Sequence, residues 1–345
     1  MEKILTVVIP SYNVERFLRQ TLESFVEESV LEDIEVLVVD DGSKDRTALI
    51  GKEFEKQYPG TFRVISKENG GHGSTINRGI EECAGKYFKV VDGDDWVNTP
   101  DFKALVEKLK DCDADYVVTN YYEVNDKTGE KTARDFRELL NREDGKSGRW
   151  TFEEMASKTQ LPMHALVIRS SILKENRIRL DEHCFYVDVE YILYPLPYVE
   201  KVAYFDLYVY MYRLALATQS VSMEGYRRHI QNHMDVIMHL TEYASAYRNH
   251  AGDEGQAKAA YMGKRIAQMV GDQISIFMSY PAEDEKNKQR FLDFDRELKE
   301  KSGWIYELSG YESGTLRLLR KTGFRGYRFL MRQGQKRNGM ESNKE

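Results

Sequence analysis

Asp92, Asp94 and Asp95 crowd into the segment Asp92-Gly93-Asp94-Asp95, directly behind the mainly apolar run Phe88-Lys89-Val90-Val91. A strand end is rigid, so carboxylates just past it are held close together and repel one another. A hard divalent cation, Mg²⁺ or Mn²⁺, relieves that repulsion and leaves coordination positions open for phosphate oxygens. Gly93 suits the same place, because a residue without a Cβ lets the backbone turn sharply and approach a ligand. The plain alternative is a solvated acidic turn. Its position after the fourth strand of a βα series favours the cation instead. The expected chemistry is a metal–diphosphate held by Asp92 and Asp94, with a bond broken beside it.

Other segments carry weaker signals. In Asp40-Asp41-Gly42-Ser43, a carboxylate can accept hydrogen bonds from a base edge or a ribose; taken alone, an ordinary turn and helix cap is the favoured reading. Gly70-Gly71-His72-Gly73-Ser74 precedes a helical pattern and offers backbone N–H groups to an anion. It is neither a P-loop nor G-x-G-x-x-G. His229 and His233 have the spacing of helical metal ligands, but no Glu follows His229 and no third ligand is evident, so zinc is not expected.

These residues need a scaffold, and the first hundred residues supply one. Leu5–Ile9, Ile34–Val39, Phe62–Ile65 and Tyr87–Val91 read as short apolar strands. Helical spacing links Phe17, Leu18, Leu22 and Phe25 between the first two. Ser43 is the expected N-cap of a helix carrying Ala48, Leu49, Ile50 and Phe54, and Ser74 to Cys83 reads as a third helix. Repeated βα units predict an α/β fold with a mostly parallel sheet flanked by helices. Ligands of such sheets gather at the carboxyl ends of the strands, where Tyr12, Asp41, Asn69 and Asp92 all fall. Asp115–Asn120, His164–Arg169 and Val202–Arg213 are further strand candidates, whereas Lys127 to Gly148 reads as a polar loop and candidate lid. After about residue 222 the pattern is helical, with Ile230, Met234, Ile237 and Met238 on one face and Met262, Ile266, Val270, Ile274 and Phe277 on another.

The 345-residue chain is long enough for a large domain and a smaller one, and its formal charge of −7 gives no indication of nucleic acid. Three scattered cysteines suit a reducing compartment, and with no signal-peptide layout and no long apolar run a cytoplasmic protein is expected. The charge is uneven: from Leu316 onward nine basic residues face only Glu341 and Glu345. Arginines interleave there with Leu318, Leu319, Phe324, Phe329 and Leu330. Such a segment, over 316–337, can lie peripherally on an anionic membrane. A terminal helix with its charges in water is the plain alternative.

Taken in order, Val8-Ile9-Pro10-Ser11-Tyr12-Asn13, Val38-Val39-Asp40-Asp41-Gly42-Ser43, Asn69-Gly70-Gly71, Asn77-Arg78-Gly79 and Val91-Asp92-Gly93-Asp94-Asp95-Trp96 resemble the family 2 glycosyltransferases of the GT-A fold. The likeness covers about residues 3–215. It implies a catalytic domain over 1–220 and a helical C-terminal region over 221–345. It also implies transfer of a sugar, with inversion, from a nucleotide-diphospho-sugar to a glycan or lipid-linked acceptor. By resemblance Pro10, Tyr12 and Asp41 contact base and ribose, Asn77 lies near the donor, and Asp92 and Asp94 hold the metal and diphosphate. Phe185-Tyr186-Val187-Asp188 resembles the family's helix start, whose Asp takes the acceptor proton. Asp188 is expected in that role, with Glu190 as rival, and Val187 departs from the usual Glu. Tyr210-Met211-Tyr212-Arg213 with Gln219–Ser222 resembles the end of the catalytic domain; Arg213 either reaches a phosphate or pairs with an acid. His164, on the acceptor side, either bonds a sugar or is structural. The alternatives are a sugar-phosphate nucleotidyltransferase, for which a basic glycine-rich loop after the first strand is lacking, and a non-catalytic nucleotide-sugar binder.

Overall fold

A computed structural model describes residues 3–140, 148–214, 223–252 and 255–337. The chain divides into two compact units, Met1–Ala217 and Thr218–Glu345. In the first, β1 (Leu5–Ser11), β2 (Ile34–Asp40), β3 (Phe62–Ser66) and β4 (Tyr87–Val90) alternate with α1 (Leu18–Glu23), α2 (Thr47–Gln57) and α3 (His72–Glu82). After β5 (Trp96–Val97) come α4 (Thr99–Lys110), β6 (Tyr116–Asn125), β7 (Lys131–Arg134), β8 (Arg149–Thr151), α5 (Phe152–Ala156), β9 (Leu166–Arg169), α6 (Ser170–Glu175), α7 (Asp188–Leu193) and β10 (Lys201–Leu214). The strands form one sheet in the order β3-β2-β1-β4-β9-β6-β10-β5, with β7 on β6 and β8 on β10.

The half formed by β1 to β4 is parallel. Every residue of β1 is buried, as a strand covered on both faces requires. Beyond β4 the sheet is mixed: β9 runs antiparallel to both β4 and β6, while β10 runs parallel to β6. All the first four strands therefore end at one rim, and β10 brings its own residues to the end of β4.

Two local expectations are corrected. Ser43 does not cap α2, which starts at Thr47 behind Arg46 with no side-chain cap. Instead the Ser43 hydroxyl accepts from the Asn13 N–H at 3.0 Å, joining the turns that follow β1 and β2. The polar stretch read as a loop carries β7, paired antiparallel with β6 through Tyr121↔Arg134 to Val124↔Lys131. Alternation was hard to read there because all four β7 residues are exposed. The rest of the candidate lid, 141–147, lies outside the described residues, as do Gln219–Ser222.

The second unit is helical: α8 (Met223–Arg228), α9 (Ile230–His250), α10 (Gln256–Met278), α11 (Glu285–Lys301), α12 (Gly303–Glu312), α13 (Gly314–Lys321) and α14 (Tyr327–Arg337). Its core joins the apolar faces of α9 and α10 to Phe291, Phe294 and Leu298 of α11. Among the described residues no helix is long and apolar enough to cross a membrane. The basic C-terminal stretch is tied to α11 and the turn before it by Arg320–Asp295, Arg328–Glu285 and Arg332–Glu283. His233 is a core residue, its Nδ1 paired with Gln273 Oε1 at 2.7 Å.

Burial pushes the His233 pKa down to about 4, against a smaller upward pull from the Gln273 bond. A folded pKa below the unfolded value means stability that is complete above about pH 6.5 and is lost as pH falls toward 4. By this linkage the unit should lose about 2 kcal/mol between pH 7 and pH 5. Urea unfolding at the two pH values checks it. His233→Gln should remove most of that difference, and an unchanged pH dependence would show that another group carries it.

Candidate active site

The acid loop after β4 is held from behind. The Gly93 N–H donates to the Pro10 carbonyl at 3.1 Å, and the Thr21 hydroxyl lies 3.1 Å from the Gly93 carbonyl and 2.5 Å from that of Asp95. A Cβ on Gly93 would stand 2.9 Å from the Pro10 carbonyl and 3.0 Å from Val14, so the glycine is required by the loop's approach to its own chain. Arg213 closes the back. Its Nε donates to the Asp94 carbonyl at 2.6 Å, Nη1 to Asp126 at 2.6 Å and Nη2 to Gln20 at 2.8 Å. The guanidinium lies between the rings of Phe17 (4.8 Å) and Trp96 (4.5 Å). Arg213 is thus a buried clamp on the acid loop, and of the two roles expected for it the structure has the pairing with an acid, Asp126, in place of a phosphate contact.

The three acids behave differently because their surroundings differ. Asp95 is buried, accepting from the Tyr210 hydroxyl at 2.6 Å and the Arg213 N–H at 2.7 Å. Burial, followed by the charges of Asp94 and Asp92, pushes its pKa well above the carboxylate range. Asp94 is pushed up to about 6 by burial and by Asp92. Asp92 goes the other way. Burial raises it, but the 2.9 Å bond to His72 Nε2, with the charges of His72 and His164, carries it below the usual value. His72 is the complement: burial lowers it, yet its bond to Asp92 and the charges of Asp92, Asp188 and Asp94 leave it raised.

Those charges bring Asp188 into the cleft. It opens α7 behind the buried Val187, and its charge, like those of Asp92 and Asp94, acts on both His72 and the Tyr212 hydroxyl. Tyr186, just before this turn, adopts a left-handed φ of 69°, a strained conformation of the kind held at functional sites. Glu190 faces elsewhere. It is fully buried, accepts from the Asp181 N–H at 2.8 Å, and is pushed up to about 8, first by burial. It braces the 181 turn.

Asp41 and the glycine loop hold each other. The Asp41 carboxylate accepts from the N–H groups of Gly70 (2.9 Å) and Gly71 (2.8 Å) and from Lys67 Nζ (2.9 Å). The backbone donors read as an anion cradle are occupied by the protein's own carboxylate. Gly73 is required for another reason, since a Cβ there would stand 2.0 Å from the Asp181 carbonyl. Asn77 is likewise committed: its amide nitrogen donates to the Leu180 carbonyl (2.9 Å) and Glu182 (3.1 Å), and its oxygen accepts from the Leu180 N–H (2.8 Å). Of the residues at the end of β1, Pro10 is buried, while Tyr12 is 51% exposed and open at the rim.

The residues present fit a divalent cation. Asp94 is left with negative charge that its neighbours do not offset, and among the described residues the ligand atoms of Asp92, Asp95 and His164 lie within 4.8 Å of one another. Carboxylate ligands without thiolate suit Mg²⁺ or Mn²⁺. Sequence reasoning did not find His72, Tyr210 or the bracing role of Asp95. The alternation of Tyr210 and Tyr212 on one face of β10 was the available signal.

Because Asp41 holds the loop together, Asp41→Asn should destabilise the protein without any nucleotide present. The loss expected for charge-assisted bonds to buried donors is about 1–3 kcal/mol. Denaturant unfolding measures it, and unchanged stability would assign Asp41 a purely ligand-binding duty.

Residues 6–173 match Glycosyl transferase family 2. Glycosyltransferase GlyA of Streptococcus pneumoniae serotype 4 is 37% identical over 125 residues, which is 36% of this chain and 18% of that protein. The chain spans 18 to 54% of the length of the first curated relatives that it matches. Among solved structures, S. aureus TarS 1-349 has a TM-score of 0.61 over 97% of this chain and 92% of its own, at 18% identity. Mannosyltransferase PcManGT from Pyrobaculum calidifontis, in complex with GDP-Man and Mn²⁺, has a TM-score of 0.52 over 96% of this chain and 87% of its own, at 14% identity. At such identities the structures speak for the fold, a GT-A α/β sheet with a helical region beyond it. Residues 6–173, just under half of the chain, thus carry the sequence pattern of the family 2 glycosyltransferases.

Proposed function

We propose that the protein moves a sugar, with inversion, from a nucleotide-diphospho-sugar to a hydroxyl of a glycan or lipid-linked acceptor of cell-surface polysaccharide synthesis. The observation that carries this reading is the meeting of uncompensated acids after β4 with Asp188 across the same cleft. TarS 1-349 has been solved with UDP-GlcNAc, and PcManGT with GDP-Man and Mn²⁺, which supports a donor and cation of these classes. Asp92 and Asp94 would hold Mg²⁺ or Mn²⁺, which when bound neutralises charge on the departing nucleoside diphosphate. Tyr12 offers its exposed ring to the base beside Pro10. Asp41 and Asn77 shape the wall of the donor cleft through the contacts described above.

In the reaction Asp188 accepts the proton of the acceptor hydroxyl. The acceptor oxygen forms its bond to the anomeric carbon from the face opposite the leaving group. The bond from that carbon to the diphosphate oxygen breaks, and its electron pair leaves with the nucleotide. A single displacement inverts the centre.

Labelled UDP- and GDP-sugars with Mn²⁺ and a candidate acceptor test this directly. Asp188→Asn should still bind the nucleotide while transfer falls by about 10²–10⁴-fold, the usual contribution of a positioned base. Near-normal transfer would remove Asp188 from the role. Transfer persisting in excess EDTA would remove the cation, and release of pyrophosphate would point to a nucleotidyltransferase.

The C-terminal helices supply a second surface, proposed to touch the cytoplasmic face of an anionic membrane. Arg317, Lys321 and Arg325 are exposed and have no ion pair among the described residues, alongside Leu318 (46% exposed) and Phe329 (66% exposed). At about 1 kcal/mol per basic residue, the double variant Arg317→Glu/Lys321→Glu should bind phosphatidylglycerol vesicles at least tenfold more weakly. Equal sedimentation with those vesicles would exclude the contact.

A further inference from the structure

We propose that His164 supplies a nitrogen ligand to the cation that Asp92 holds, so that the metal centre is a mixed carboxylate–imidazole site. This rests on the glycosyltransferase reading above and extends it to a residue outside the Asp92–Asp94 pair. A ring nitrogen of His164 and carboxylate oxygens of Asp92 and Asp95 lie within 4.8 Å of one another. Atoms bound to one ion at about 2.1 Å lie at most about 4.2 Å apart, so small side-chain rotations would close the set. Asp95 is spoken for by Tyr210 and Arg213 and forms the back wall. Asp92 and His164 are the two that reach the cleft, each only partly buried.

His164 is fixed in place but left with open nitrogens. Its ring stacks on Tyr212 at 4.1 Å and meets the edge of Tyr210 at 4.8 Å. Its carbonyl accepts from Lys89 Nζ at 2.9 Å, and the same ammonium reaches the Leu166 carbonyl at 3.3 Å. Lys89 is fully buried and ties the start of β9 to β4, which sets the distance between His164 and the acid loop. Among the described residues no protein group bonds the His164 ring nitrogens, although the ring is held by three aromatic neighbours. An imidazole positioned this rigidly beside a carboxylate, with no internal partner, is arranged as a ligand arm. A nitrogen ligand favours Mn²⁺ over the harder Mg²⁺.

His72 is the competing imidazole, since its Nε2 lies 2.9 Å from Asp92. Electron spin-echo modulation of Mn²⁺ bound to the full chain with UDP or GDP separates the two. Wild type should show directly coordinated ¹⁴N. His164→Phe keeps the aromatic stack and should lose that modulation, weaken Mn²⁺ binding at least about tenfold, given that outer-sphere losses alone cost roughly 10–100-fold, and narrow the preference for Mn²⁺ over Mg²⁺. His72→Gln should keep the modulation. His164→Asn, with circular dichroism and nucleotide binding as controls, guards against a folding defect in the phenylalanine variant. Bound Mn²⁺ without ¹⁴N coupling, or coupling that survives both His164 variants, overturns the inference and leaves the glycosyltransferase reading intact. Failure of Mn²⁺ to bind wild type at all overturns both.

Discussion

Packing three aspartates behind one parallel strand sets an electrostatic problem that the surrounding residues answer unevenly. Coulomb repulsion between carboxylates a few ångströms apart is large where water is excluded, and among the described residues no lysine or arginine pairs with their carboxylates. Arg213 comes closest, yet its guanidinium bonds the Asp94 carbonyl and pairs with Asp126 instead of neutralising the cluster. Asp95 is pressed toward its neutral form beside Tyr210, Asp92 is kept ionised by His72, and Asp94 is left between them. The loop thereby presents a directed charge instead of a diffuse one. Its uncompensated part is the Asp94 carboxylate, a charge that a divalent cation would balance.

The opposite wall is organised by self-satisfaction. A glycine-rich turn before a helix would ordinarily invite an anion, but Asp41 already occupies it, and Lys67 balances Asp41. The positive end of α3 is therefore spent on rigidity. Gly73 and Asn77 use the same helix to seat the 180–183 segment, which leads into the Asp188 turn. A single run of residues, 69–77, thus links the end of β2 to the start of α7, and Asp188, the proposed base, inherits its position from residues that look like ligand contacts in the sequence.

Legibility followed the physical range of each signal. The strands β1 to β4 announced themselves because buried parallel strands are continuous apolar runs, and their ends marked the rim. Asp92 and Asp94 stood out as acids crowded at a strand end, whereas Asp188 was singled out only through the family resemblance. Duties that depend on a distant partner were not legible. Phe17, Trp96 and Asp126 around Arg213 chose between the two roles open to it, and the bonds of Asp41 to Gly70 and Gly71 had no signal in the local pattern. Ser43 had the right chemistry for a cap one turn too early, and its hydroxyl went to Asn13. The exposed β7 carried no alternation to read. Sequence separations of tens to more than a hundred residues lie behind the clamps on the acid loop, and no local pattern encodes them.

β10 shows how one strand can serve both sides of the site. Its pairing with β6 shifts register between Phe205 and Tyr210, a bulge that resets which residues face which way. After it, alternation sends Tyr210 and Tyr212 to one face and Arg213 to the other. The tyrosines meet His164 and the Asp95 carboxylate, while the arginine reaches behind the loop to Asp94 and Asp126. A one-residue slip would exchange the two sets, placing a guanidinium where the aromatic stack stands and unclamping the acids. Register at the end of β10 therefore fixes the charge pattern of the cleft as firmly as the aspartates themselves do. The bulge belongs to the site even though its residues touch no proposed ligand.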